Sequence, residues 1–201
     1  MPPASPTPAE TLRLFIALWP DDGARAWLSA LDASIGWPTG AAREGAARWH
    51  MTLHFLGAVP RAQLAELVPA LEQPFEPFNL ELGHLAAWPR GLLVVEPLQA
   101  EPALRELHAR LGQALRRAGQ RVEARTFRPH LTLARRAARA VAPAAPADAQ
   151  RWPVAAYALV ASAGGRYRNL AQYPSGVLSG AAADPTPATA QSRPARAPTP
   201  R

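Results

Sequence analysis

Two copies of one short pattern constrain this chain more than any other feature: Trp49-His50-Met51-Thr52-Leu53 and Arg128-Pro129-His130-Leu131-Thr132-Leu133. Both contain His-x-Thr-Leu, with the two histidines 80 positions apart. In an extended strand residues i and i+2 share a face. Each copy therefore sets a His beside a Thr and turns Met51 and Leu53, or Leu131 and Leu133, toward a core. The chain has five His, and two such matches by composition alone have odds on the order of one in a few thousand.

The surrounding periodicity describes an α+β fold. Leu12 to Leu18 is an apolar run of strand length, followed by Asp21 and Asp22, which suit a helix start, and by Trp27, Leu28 and Leu31 on one helical stripe. A Gly/Pro-bearing loop leads to the first His-x-Thr strand over 48–56, ended by Gly57. Leu64, Leu67, Val68 and Leu71 then mark a helix from Pro60 to Glu72, with Pro69 expected to kink or end it. A hairpin follows: Phe78, Leu80 and Leu82 alternate, Trp88-Pro89-Arg90-Gly91 turns, and 92–98 returns. Leu104, Leu107, Leu111 and Leu115 predict a helix from Glu101 to Ala118, closing at Gly119. The second His-x-Thr strand spans 128–135, and 142–147 is a Pro-bearing loop. Strands are expected from Val154 to Ser162 and, after Gly164-Gly165, over 167–173. This order reads as two similar halves. It implies a bilobal duplicated fold, two pseudo-symmetric lobes of antiparallel sheet plus helices around a central cleft that gathers the two motifs.

The predicted domain runs over 11–178, flanked by a disordered Pro-rich lead at 1–10 and a disordered Ala/Pro/Arg-rich tail at 179–201. The lead lacks the basic start and apolar core of a signal peptide, and no apolar run approaches a membrane span. With no Cys, disulfides and thiolate chemistry are excluded, and a cytoplasmic location is the default. No long apolar stripe is left unpaired, so a monomer with no obligate protein partner is expected. The formal net charge is +7, and every basic residue apart from His is Arg. Arg matches phosphate oxygens bidentately and stacks on bases, which suits a polyanion such as RNA. A compositional bias that replaced Lys by Arg explains the same counts, and both readings can hold.

Two His on opposing strands can serve as a general acid and base, each role being worth roughly 10²–10⁴-fold. Two Thr hydroxyls can donate to oxyanions. Together they describe a pocket for one tetrahedral phosphoryl group, with His50 and His130 moving protons and Thr52 and Thr132 holding oxygens. The reaction is displacement at phosphorus, and it requires no metal or cofactor in principle. A metal shared by His50 and His54 is ruled out by strand rise, which separates them by about 13 Å. His54 and His108 are assigned to surface or half-buried positions, and His84 is unassigned.

At these residues the sequence resembles the two-histidine phosphoesterase superfamily. Within it, the chain is similar to the RNA 2′,3′-cyclic phosphodiesterases long called 2′-5′ RNA ligases. The resemblance covers about Leu12 to Tyr173. It includes Leu14-Phe15-Ile16-Ala17-Leu18, the run from His50 to Gly57 and, most specifically, Phe127-Arg128-Pro129-His130-Leu131-Thr132-Leu133-Ala134-Arg135. It implies metal-independent hydrolysis of RNA 2′,3′-cyclic phosphate ends to 2′-phosphates, with His50 as proton donor, His130 as proton acceptor, and Thr52 and Thr132 on the phosphoryl oxygens. Trp49 and Met51 depart from the smaller or polar residue and the Leu that the family often has there. The residues themselves leave open which His is acid. They also leave open 2′-5′ ligation, hydrolysis of a small cyclic nucleotide, and a non-catalytic basic RNA-binding module. Arg128 and Arg135 are candidate contacts to an RNA backbone, or ordinary surface Arg. On a straight strand Arg135 points to the core side, unless the strand ends and frees it. Phe127 either stacks a base or packs in the core.

Overall fold

The computed structural model describes residues 11–99, 101–143 and 148–176. The expected lead at 1–10 and tail at 179–201 lie outside the described residues. Among the described residues, nine strands form one antiparallel sheet: β1 (Thr11–Leu18), β2 (Ala42–Arg43), β3 (Met51–Pro60), β4 (Phe78–Trp88), β5 (Leu92–Pro97), β6 (Leu131–Arg135), β7 (Gln150–Val154), β8 (Ala156–Ala163) and β9 (Arg166–Pro174). Three α-helices accompany it among the described residues: α1 (Asp22–Ser34), α2 (Leu64–Ala70) and α3 (Pro102–Arg117). Among the described residues no helix is long and apolar enough to cross a membrane.

The strand order, β7-β4-β5-β6-β3-β1-β8-β9 with β2 paired to β6 off this path, carries the expected duplication. Read outward from the central β3–β6 seam, one lobe is β1, β8, β9 and the other is β5, β4, β7. Helix α1 connects β1 to β3, and α3 connects β5 to β6, so each lobe repeats strand, helix, His-x-Thr strand. The chain also crosses between lobes, because β4 follows β3 yet pairs with β5, and β8 follows β7 yet pairs with β1. One ladder pair links the lobes at the seam, Met51 opposite Leu131.

Local chemistry explains the elements. Asp21 caps α1 by accepting from the Ala24 N–H at 2.9 Å. Glu101 caps α3, Pro102 occupies its first turn, and Gly119 leaves it at φ +71°. The α3 stripe of Leu104, Leu107, Leu111 and Leu115 is buried, as are Met51, Leu53, Leu131 and Leu133. On β1, Leu14, Ile16 and Leu18 join this main core, whereas Phe15 and Ala17 face the other way with Ala158 and Val160.

Several boundaries differ from the periodicity. Both His-x-Thr strands begin one residue after the His, because residues 46–48 form a 3₁₀ turn and 128–130 lie outside the ladder. Gly57 does not end β3. It takes φ +75° beside a register shift, and the strand runs on to Pro60. The 60–72 segment splits into a 3₁₀ turn, Arg61–Gln63, and the short α2, which stops one residue after Pro69. Strand β7 was not legible. Val154 belongs to it rather than to β8, and Pro153 interrupts its pattern, as an edge strand tolerates.

Candidate active site

His50 and His130 flank the central seam, and with Thr52 and Thr132 they line one cleft of about 470 Å³. Their rings are held in the same way. The His50 Nδ1–H donates to the Arg48 carbonyl at 2.6 Å, and the His130 Nδ1–H donates to the Arg128 carbonyl at 2.8 Å. A carbonyl only accepts, so both bonds fix the proton on Nδ1 and leave Nε2 as the basic nitrogen. The intervening residue sets this geometry. Pro129 has its φ locked by its ring, and at the matching position Trp49 adopts a similar φ of −62° with ψ 123°.

Each strand then breaks its alternation at the same place. Ile16 and Ala17 pair with His54 and Thr52, so Leu53 is an extra residue in β3. Leu93 and Val94 pair with Ala134 and Thr132, so Leu133 is extra in β6. These two bulges rephase the strands. As a result Phe55 and Arg135 line the cleft together with Thr52 and Thr132. For Arg135 this corrects the straight-strand expectation: its side chain is exposed at the strand end, with Nε 3.9 Å from Glu44. The same rephasing corrects the placement of His54. It is buried, stacks on His108 at 4.1 Å, and has its Nε2 2.8 Å from the His108 carbonyl oxygen.

The cleft wall is basic. Arg13, Arg48, Arg125 and Arg135 line it against Glu44 and Glu123. Glu44 holds Arg48 at 2.9 Å and Glu123 holds Arg125 at 2.7 Å. Burial pulls both His50 and His130 below the ordinary histidine value, opposed in each by the bond to a backbone carbonyl. The charge of His130 lowers His50 further, so the two rings sense each other across the cleft. Both rings are therefore mainly neutral at pH 7 when no anion is bound.

Sequence reading missed the groups that position these rings. Phe15 packs on His50 at 4.9 Å, Tyr167 at 5.3 Å and Trp19 at 5.6 Å. Phe15 carried a signal, since it alternates against Leu14 and Ile16. On the other side Trp88 packs on His130 at 4.4 Å. Arg128 lies over the Trp88 ring at 4.2 Å and is gripped by Glu96 through two bonds, 2.7 and 3.2 Å. Glu96 is buried. Nothing in the sequence links it to Arg128. Phe127 packs against the core and stacks on His108 at 4.0 Å. It also lines a second cavity with Arg128, so neither reading of Phe127 excludes the other. Among the described residues no three His, Asp or Glu side chains gather as metal ligands would.

Comparison with known proteins gives concordant matches. The family model described as the 2′-5′ RNA ligase superfamily matches residues 20–166. An RNA 2′,3′-cyclic phosphodiesterase of Bacillus subtilis (strain 168) is 34% identical over 96 residues, covering 44% of this chain and 51% of that protein. The matched region thus spans about half the length of that curated relative. Escherichia coli LigT, solved with 3′-AMP, superimposes with a TM-score of 0.74 at 27% identity, covering 83% of this chain and 99% of LigT. LigT has also been solved with phosphate, at a TM-score of 0.71 and 25% identity over 83% of this chain and 98% of LigT. A protein of Thermus thermophilus matches with a TM-score of 0.63 at 27% identity, over 81% of this chain and 97% of its own.

Proposed function

The chain belongs to the 2′-5′ RNA ligase superfamily of phosphoesterases, and on that premise we propose that it hydrolyses the 2′,3′-cyclic phosphate end of RNA to a 2′-phosphate. The observation that carries this reading is the pair of Nδ1-anchored histidines, each with a basic Nε2, in one Thr-flanked basic cleft. The homologue from Bacillus subtilis is named an RNA 2′,3′-cyclic phosphodiesterase, and the LigT complexes with 3′-AMP and phosphate support a nucleotide-phosphate ligand.

The proton bookkeeping closes without another group. Neutral His130 takes a proton from water through Nε2 as the water oxygen bonds to phosphorus. The bond from phosphorus to O3′ breaks, and protonated His50 delivers its Nε2 proton to that oxygen. The products are a 2′-phosphomonoester and a free 3′-hydroxyl, and exchange of one proton with solvent resets the pair. Thr52 and Thr132 donate to the non-bridging oxygens, and the cleft arginines offset the growing charge. No step draws on a metal.

The test is a short RNA with a 2′,3′-cyclic phosphate end, incubated with the protein in EDTA and followed by phosphorus NMR. A 2′-phosphate is expected, with turnover reduced by about 10²-fold or more in His50→Ala and in His130→Ala. A 3′-phosphate product, dependence on added divalent metal, or unchanged turnover in either variant would overturn the scheme.

A further inference from the structure

A second cavity, of about 220 Å³, opens beside the reaction cleft on the His130 side. Thr52, Phe55, Glu123, Arg125 and His130 line both spaces, so the two adjoin. The reaction scheme does not use it. Its size is below that of whole-ligand sites, about 300–1,000 Å³, and leaves room for one planar ring system.

Its walls are suited to such a ring. His54, His108 and Phe127 form a three-ring stack, with centroids 4.1 and 4.0 Å apart and planes within 18° and 11° of parallel. All three line the cavity, as does Trp88. The stack is aromatic and uncharged at neutral pH, because burial and the neighbouring His54 hold His108 down to about 4. Thr126, Glu123 and Arg125 offer donors and acceptors at the cavity edge, and Arg128 is a fixed cation beside it, held by Glu96.

The cleft thus has two ring-lined walls around one phosphoryl site. Phe15, Trp19 and Tyr167 stand on the His50 side, and Trp88, His108 and Phe127 on the His130 side. One nucleoside can occupy only one of them. In the scheme above, O3′ leaves toward His50, which keeps the reacting nucleoside on that side. The basic wall between the two suits the connecting phosphodiester.

We propose that the second cavity is a nucleobase subsite for the nucleotide that precedes the one carrying the cyclic phosphate, so that the protein prefers an RNA end to a cyclic mononucleotide. This rests on the phosphodiesterase reading above. Stacking one base on an aromatic platform corresponds to a roughly 5- to 150-fold effect.

The test compares kcat/KM of the wild-type protein for three substrates: adenosine 2′,3′-cyclic phosphate, the ApA dinucleotide ending in the same group, and that dinucleotide with an abasic first residue. The intact dinucleotide is expected to exceed the other two by about tenfold or more, chiefly through KM. Thr126→Trp, which fills the cavity, is expected to shrink that ratio toward one. Equal kcat/KM for all three would overturn the subsite while leaving the phosphodiesterase reading intact. So would an advantage retained in full by the abasic dinucleotide. No turnover of any of the three would instead refute the phosphodiesterase reading.

Discussion

Replacing Glu96 by Gln isolates what the buried carboxylate does for His130. Glu96 is buried, with its side chain 11% exposed, and it holds Arg128 through two bonds while His84 Nδ1 lies 3.3 Å away. The amide keeps the volume, loses the charge and turns one acceptor into a donor facing a guanidinium. A buried charge-assisted hydrogen bond contributes about 1.5–3 kcal/mol and an exposed ion pair about 0.2–1. Arg128 is 59% exposed, so the change should cost about 1–2 kcal/mol, or a fall in Tm of roughly 2–8 °C for a chain of this size. Two contacts carry the loosening to the site, the Arg128 carbonyl that receives the His130 Nδ1–H and the Trp88 ring between Arg128 and His130. A loss of about 1–2 kcal/mol in ring positioning lowers kcat about 5- to 30-fold with KM little changed. The variant also predicts a shift in pH dependence. Glu96 raises His130, so its neutralisation lowers that ring further. With His130 as base, the acid limb of kcat/KM moves to lower pH. The assay is steady-state turnover of a cyclic-phosphate RNA end from about pH 4.5 to 9. A variant with wild-type kcat and an unmoved acid limb would refute the coupling, whatever its Tm.

Three further outcomes are expected. Thr52→Val and Thr132→Val, near-isosteric and half-buried, should each lower kcat by roughly 10²-fold, as loss of an oxyanion donor does; equal activity with Val would remove the hydroxyls from the mechanism. Glu44→Gln should move the alkaline limb of kcat/KM to lower pH, because Glu44 raises His50 and the acid is lost as pH rises through its pKa; an alkaline limb that stays in place would assign it to another group. His108, held to about 4, lies below the unfolded value of about 6.5, so the folded state binds fewer protons in that window. Stability is then constant above about pH 6.5 and falls from there toward 4, by linkage up to about 3 kcal/mol and nearer 1–2 for a half-buried ring open to solvent. Denaturant melts at about pH 7 and 4.5 should show that loss in the wild type and a smaller one in His108→Phe; identical losses would place the acid sensitivity elsewhere.

How much of this was legible depended on the range of each interaction. Short-period patterns gave β1, the β4–β5 hairpin and α3 within a few residues, because each buries one regular face. The paired motif was enough to place His50, Thr52, His130 and Thr132 on one cleft. What escaped breaks periodicity or spans long separations. The bulges at Leu53 and Leu133 add one residue to a ladder and leave no mark in composition, yet they turn Arg135 outward and His54 inward. Strand β7 was hidden by Pro153. The Glu96–Arg128 grip joins residues 32 positions apart, one on β5 and one in the segment leading into β6, whose pairing only the fold establishes.

A duplicated fold supplies two equivalent histidines, yet the proposed reaction needs them in opposite protonation states. Burial lowers both, and the charge of His130 disfavours protonation of His50, so the pair is suited to hold one proton rather than two. The charged surroundings of the two rings differ. Among the charges acting on His50, the largest influence is the carboxylate of Glu44, which favours its imidazolium. Among those acting on His130, the largest is the guanidinium of Arg125, which disfavours it. Glu44 thus favours an imidazolium at His50, the side to which O3′ departs in the proposed scheme, and Arg125 favours a neutral His130. The identical Nδ1 anchors make either ring competent for either task. The charges that distinguish the two rings, Glu44 and Arg125, are not part of the repeated motif.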